Sequence, residues 1–376
     1  LTRAGAEPRE VAGVGVCGFH HCPVFLDSEG EPVRPTIVTH DQRLGASLAE
    51  LKSRGTLSQI EQISGSKVVT GHFPSIFHHV RTHDPDSLGR TRWIVLAKDY
   101  IRYRLTGLLG TELCDATGTH LVAMPEQEWS DELCELIQVP RETLPEIGRA
   151  SEFCGAITEE ASRATGLEAG TPVVYGGGDS HCALVGLGVT GSAEAGLLLG
   201  TNSTLRASFA DLVRPLGHSV WIQQHVVPGR FTASASSMAG SSVLTWFKDT
   251  WVGKVPDGDE HQAYRRIETA AEAVPAGSDG LLFHPYIFGE RSPFYNPAAA
   301  GSFLRIRHWH GPGHFARAVM EGVAFVIANC LHALQEIAGT RGESIETVRI
   351  GAGGGIQLGL WRQIISDVLE LPPVSY

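Results

Sequence analysis

The chain has 376 residues, 42% hydrophobic and 19% charged, with 41 acidic against 30 basic side chains and a net charge of −11. That length predicts two domains rather than one core, and the acidity argues against nucleic acid or an anionic membrane surface as a partner. It does not exclude an anionic ligand, because backbone N–H groups hold phosphate whatever the net charge.

From the N-terminus, Val11–Val16 and Val24–Leu26 read as strands, with a turn at Asp27-Ser28-Glu29-Gly30. Ala46–Arg54 and Trp93–Leu105 have helical spacing, the second stopping at Thr106-Gly107. Trp129–Ile137 reads as a further helix between Pro125 and Pro140. Thr171–Tyr175 has a buried-strand pattern and leads into three glycines and an aspartate. Gly196–Leu199 and Thr204–Ser208 read as a hairpin joined by Gly200-Thr201-Asn202-Ser203. Ala233–Lys248 reads as a turn entering a helix. Pro312–Ile337 is the strongest helix, with Ala316, Val319, Met320, Val323, Ala324, Ile327 and Leu331 in 3.6-residue period. Thr347–Ile350 reads as a strand running into Gly351-Ala352-Gly353-Gly354-Gly355, followed by a helix over Gly359–Leu369. Strands alternating with helices predict an α/β protein. The expected domains are 1–170 and 171–376, divided where glycine density rises.

Seven cysteines are irregularly spaced and form no CxxC pair. They predict reduced thiols in a cytoplasmic protein, with neither a disulfide framework nor a zinc site. No run reads as a membrane span, and no histidine pair has metal-ligand spacing such as HExxH. The start of the sequence is neither a signal peptide nor an initiator methionine.

Four segments carry chemistry. Gly176-Gly177-Gly178-Asp179 puts a carboxylate at a strand end, where it can accept a hydroxyl proton during phosphoryl transfer; equally, Asp179 can cap the helix that follows. Gly200-Thr201-Asn202-Ser203 offers backbone N–H groups and hydroxyls for a phosphate, or is a plain hairpin turn. Gly351–Gly355 permits close approach of a nucleotide between strand and helix, or is a tight turn; it is no Walker sequence. His20-His21 and Thr39-His40-Asp41-Gln42-Arg43 suit a polyhydroxylated ligand, or are surface loops.

In this order the segments resemble the FGGY family of carbohydrate kinases, on its xylulokinase-like branch, from about Val11 to the end of the sequence. Gly301–Ile306 with His314–Glu321 is similar to the family's second signature, with Arg305 where glycine is usual. Pro285–Pro293 resembles PYLxGERTP. Lys98-Asp99-Tyr100 with Leu105-Thr106-Gly107, and Asp115-Ala116-Thr117-Gly118, resemble KDYxxxxLTG and DASG. Gly354-Gly355 with Trp361-Arg362-Gln363 and Asp367 resembles the family's nucleotide segment.

The resemblance implies an actin-like ATPase (ribonuclease H-like) fold, two α/β domains around a cleft, and transfer of the γ-phosphate of ATP to a sugar or polyol hydroxyl with Mg²⁺. It implies Asp179 as general base, and Gly200, Thr201 and Asn202 at the ATP phosphates. It places Gly353, Gly354 and Gly355 at adenosine, with Gly240 and Trp246 flanking. His20, His21, Asp41 and Arg43 are implied at the sugar. There Phe19-His20-His21-Cys22 stands for QMHG and Thr39-His40 for Trp-Asn, so the sugar end departs most from the family. The family pattern also includes segments before and after this sequence, among them an Asp-x-Gly-Thr phosphate loop. A homodimer is compatible with the resemblance. The rival readings are a relative that binds sugar without catalysis and an actin-like ATPase with a protein client.

Overall fold

The computed structural model describes residues 5–39, 41, 43–124, 126–214, 217–252, 260–351, 357–371 and 374–375. The chain forms two compact units, Leu1–Val185 with Ile222–Phe231, and Gly186–Trp221 with Thr232–Tyr376.

In the first unit, β1 (Val14–Gly18), β2 (Pro23–Leu26), β3 (Trp93–Leu96), β4 (Phe153–Ala156) and β5 (Pro172–Gly178) make two small sheets. β5 is the central strand of one, parallel to β1 and antiparallel to β4. This pairing is why the chain divides at Val185 and not ahead of Thr171: β5 belongs with the strands that precede it. β2 and β3 form an antiparallel ladder from Pro23↔Leu96 to Leu26↔Trp93.

The helices of this unit include α1 (Leu44–Ser53), α2 (Thr56–Ser64), α3 (Phe73–His83), α4 (Ala97–Thr106) and α5 (Leu113–Gly118), and α6 (Asp179–Gly186) follows β5. The expected helix over Trp93–Leu105 is therefore a strand and then a helix. Trp-Ile-Val-Leu fits a pleated, buried surface, and its partner β2 outweighs the helical spacing. Phe25, Ile60, Phe73, Ile76 and Phe77 form the core, each at most 1% exposed. Burying each such side chain is worth about 1.5–3 kcal/mol.

In the second unit, β6 (Glu194–Leu199), β7 (Ser203–Phe209), β8 (Phe231–Ser237), β9 (Val348–Gly351) and β10 (Val374–Ser375) lie in the order β8-β7-β6-β9-β10. The expected hairpin is β6–β7, closed by Leu199↔Ser203. β8 replaces the first part of the expected turn and helix over Ala233–Lys248; only α7 (Ser241–Phe247) is α-helical there, before a π-helical turn over Lys248–Val252.

α8 (Glu260–Glu272), α9 (Pro312–Gly339) and α10 (Gly359–Leu369) pack together. Pro312 at the first turn of α9 and the Gly311 N–H donated to Nδ1 of His314 start this helix as a capping box would. Its 28 residues include an 18-residue window of mean hydropathy 1.4, enough for a membrane span by length and composition, contrary to the sequence reading. However, 72% of that window is buried inside the protein, which makes α9 a core helix of its unit.

Candidate active site

Two neighbouring parallel strands position the residues expected at the sugar. β1 and β5 end in register at Gly18↔Gly178. The residues that follow them therefore leave at the same carboxyl edge, the usual ligand side of an α/β sheet. His20 and His21 follow β1, and Asp179 follows β5 as the first residue of α6. A Cβ on Gly178 would lie 2.3 Å from Nδ1 of His20, so only glycine lets the ring sit against this strand end. The Asp179 carboxylate is exposed and accepts the Ser180 N–H at 2.6 Å. The carboxylate is thus held by its neighbour's backbone and open to solvent.

His20 is buried, and both ring nitrogens are engaged. Nδ1 lies 2.6 Å from Oδ1 of Asp115, and Nε2 lies 2.7 Å from the side-chain nitrogen of Gln223. The amide donates to Nε2, which leaves the ring proton on Nδ1, the nitrogen close to the carboxylate. His21, half-buried at φ 64°, donates from Nδ1 to the carbonyl of Gly118 at 2.9 Å. Burial, then the neighbouring His20, His72 and His120, holds its pKa well below the ordinary histidine value. Cys22 is buried too; burial, with Asp115 and Asp179 pushing the same way, raises its thiol to about 12 and keeps it protonated.

Asp115 belongs to a buried charge cluster. Lys98 Nζ lies 2.6 Å from Asp99, 3.6 Å from Glu112 and 3.5 Å from Asp115, all at most 1% exposed. Glu112 accepts the N–H groups of Cys114 and Asp115 at the start of α5. Burial raises the Glu112 carboxyl to about 7 despite Lys98. Burial also opposes the charge on Asp115, but His20 and Lys98 outweigh it, and its pKa is lowered.

Asp41 and Arg43 close on each other, Nε of Arg43 donating to Oδ1 of Asp41 at 2.9 Å; this hydrogen bonding lowers the carboxyl to about 2. The fold thus brings His20 and His21 beside the strand end carrying Asp179, while Asp41 and Arg43 bond to each other within their own loop. Lys98, Asp115 and Gln223 were not singled out as site residues from sequence. The KDY and DASG resemblances marked the first two without a role, and nothing local marked Gln223.

The second unit carries the residues expected at the nucleotide. The Gly200-Thr201-Asn202 tip of β6–β7 docks on the start of α7: the Ser241 N–H reaches the Gly200 carbonyl at 2.8 Å, and the Ser242 N–H and hydroxyl reach Thr201 O at 3.1 and 2.7 Å. A Cβ on Gly240 would lie 2.5–2.7 Å from Asn202 and Thr201 backbone atoms, so this position accepts only glycine without movement. Buried Glu290, from the GER motif, fixes the approach by accepting from the Ser237 hydroxyl and the Met238 N–H.

Beside this junction lies a cavity of about 430 Å³, lined by Ser241, Leu244, Tyr264, Glu268, Leu358 and Trp361 among others. Trp246 stacks on Phe283 and is not among the lining residues. Gly353, Gly354 and Gly355 lie outside the described residues.

The family model described as "FGGY family of carbohydrate kinases, N-terminal domain" matches residues 1–186, and that of the C-terminal domain matches residues 196–375. The chain is 30% identical over 361 residues to the xylulose kinase of Escherichia coli, covering 96% of this chain and 71% of that protein. It is 27% identical to the autoinducer-2 kinase of Klebsiella pneumoniae, over 99% of this chain and 70% of that one. A crystal structure of a xylulose kinase from Brucella ovis superposes with a TM-score of 0.88 at 26% identity, covering 100% of this chain and 74% of that chain.

Proposed function

The chain belongs to the FGGY family of carbohydrate kinases, with the actin-like fold of that family, and we propose that it transfers the γ-phosphate of ATP to a hydroxyl of a ketopentose such as xylulose, in the cytoplasm. The observation that supports this most is the exposed Asp179 carboxylate at the end of β5, one strand from His20 and His21. There the carboxylate can take the proton of a sugar hydroxyl as that oxygen attacks phosphorus, the role of a general base in phosphoryl transfer.

ATP supplies the phosphoryl group. Gly200, Thr201 and Asn202 would form the phosphate-holding tip, with the N–H groups of Thr201 and Asn202 toward the phosphates while the Gly200 N–H closes the turn on Asn202 O at 3.0 Å, and Gly240 keeps that tip closed against α7 beside a cavity that suits adenosine. Among the described residues no group of three or more His, Cys, Asp or Glu side chains is placed to hold a metal ion. Mg²⁺, which usually keeps several waters and binds through substrate phosphates, would arrive on the nucleotide.

The test is ADP release by the full-length protein across a panel of ketoses, polyols and sugar acids. Turnover that depends on one ketopentose supports the reading. ATP consumed equally with and without sugar would favour an ATPase, and no ATP consumption with any sugar would favour a binding protein.

A further inference from the structure

A second set of imidazoles stands behind His21. His72, at the N-terminal boundary of α3, lies flat against it, ring centroids 4.5 Å apart and planes 15° from parallel. His120, two residues beyond α5, follows at 5.0 Å from His72, with its Nε2 2.8 Å from Nδ1 of His72. His72 and His120 are buried. His21 and His120 both sit in the left-handed backbone region, at φ 64° and 60°. Such a conformation costs a non-glycine residue on the order of 1–3 kcal/mol and persists where its surroundings impose it, often at functional sites. Three rings from three separate segments, two of them on strained backbone, are therefore held in a stacked row whose last member is His21, with the His20 ring edge-on to it at 4.1 Å.

The row fixes which atom His21 offers. A carbonyl oxygen only accepts, so the bond to Gly118 O puts the ring proton on Nδ1. The buried row disfavours a second proton. Nε2 is then a lone-pair acceptor. An acceptor in a half-buried site welcomes a hydroxyl and opposes a carboxylate, which also offers only lone pairs.

We propose that His72 and His120 are positioning residues: as a hydrogen-bonded pair they brace the His21 ring so that Nε2 accepts from a substrate hydroxyl, selecting neutral sugars over sugar acids. The proposal rests on the reading that the first unit binds the sugar.

The test compares wild type, His72→Ala and His72→Phe in the full-length protein, with a ketopentose and an aldonate as substrates. His72→Ala is expected to raise the sugar KM about tenfold, the worth of one well-placed hydrogen bond, with kcat and the ATP KM within twofold of wild type. His72→Phe keeps a flat face against His21 but not the bond to His120, and should restore part of the loss. A sugar KM within twofold of wild type in His72→Ala, a parallel shift of sugar and ATP KM, or a wild-type preference for the aldonate would overturn the proposal.

Imidazole nitrogen NMR reads the brace without turnover. Wild type should show His21 fixed as the Nδ1–H tautomer, and His72→Ala should show it averaging. Averaging in wild type would overturn the brace even in an active kinase. A wild type that phosphorylates no sugar would instead sink the kinase reading, and the NMR result would still decide the brace.

Discussion

Oδ1 of Asp115 lies 2.6 Å from Nδ1 of His20, and the other carboxylate oxygen lies 3.5 Å from Lys98, so one buried acid links the His20 imidazole to a buried ammonium. Lys98 is the centre of that cluster. Its desolvation is outweighed by Asp99, Glu112 and Asp115, which raise its pKa. Lys98→Met fills a similar volume but leaves three buried acids short of a counter-charge. Breaking such a cluster from one side typically costs about 3–5 kcal/mol. The urea midpoint should fall accordingly; an unchanged midpoint would mean the acids are already neutral.

Asp179→Asn is expected to lower kcat for sugar phosphorylation by roughly 10²–10⁴-fold, the usual worth of a general base, with ATP affinity little changed. Asparagine is itself a good helix cap, so a cap alone would be nearly insensitive to this change. A variant keeping more than about a tenth of wild-type turnover would assign Asp179 to the cap.

Gly240→Ala places a methyl 2.5–2.7 Å from the hairpin-tip backbone. Relieving that contact costs about 1–3 kcal/mol and must separate the tip from α7. The expected readout is a rise of roughly tenfold or more in the ATP KM, with the sugar KM nearly constant. A change confined to the sugar KM would contradict the assignment of this junction to the nucleotide.

Burial lowers the His120 pKa from 6.5 to about 3. Between those values the unfolded chain binds the extra proton, so the stability this residue contributes is full above about pH 6.5 and declines as pH falls toward 3. Glu112, raised from 4.5 to about 7, acts in the opposite sense over an overlapping window, so the total curve does not isolate either group. The difference between wild type and His120→Phe does. From pH 7 to pH 5 the variant should gain about 2 kcal/mol relative to wild type, at roughly 1.4 kcal/mol per pH unit. A difference independent of pH would mean His120 titrates normally.

Elements with a strong local signature were legible in the sequence. Pro312–Gly339 has a proline start and a sustained apolar period, and Gly359–Leu369 was read at its observed ends. Trp93–Leu96 was not legible, because its helical spacing is accidental and β2, which decides it, lies some 70 residues earlier. β8 has the small, alternating sequence Phe231-Thr232-Ala233-Ser234-Ala235-Ser236-Ser237, yet every residue is buried, so no polar face marks it as a strand. At the candidate site, His20 and His21 could be singled out because they adjoin in the short loop between β1 and β2. Gln223, His72 and His120 could not, since each reaches the histidines from 50 to 200 residues away in the chain.

The in-register pairing of Gly18 with Gly178 also fixes the order in which the protein can be made. About 160 residues of chain must be closed into a loop before β1 finds β5, and closing so long a loop precedes any reward from the contact. On a ribosome, His20 therefore emerges long before its neighbour strand exists. The α1–α3 helices, whose contacts are nearer in sequence, can form first, and the pairing of β1 with β5 that puts His20 beside Asp179 comes after residue 178 has left the exit tunnel.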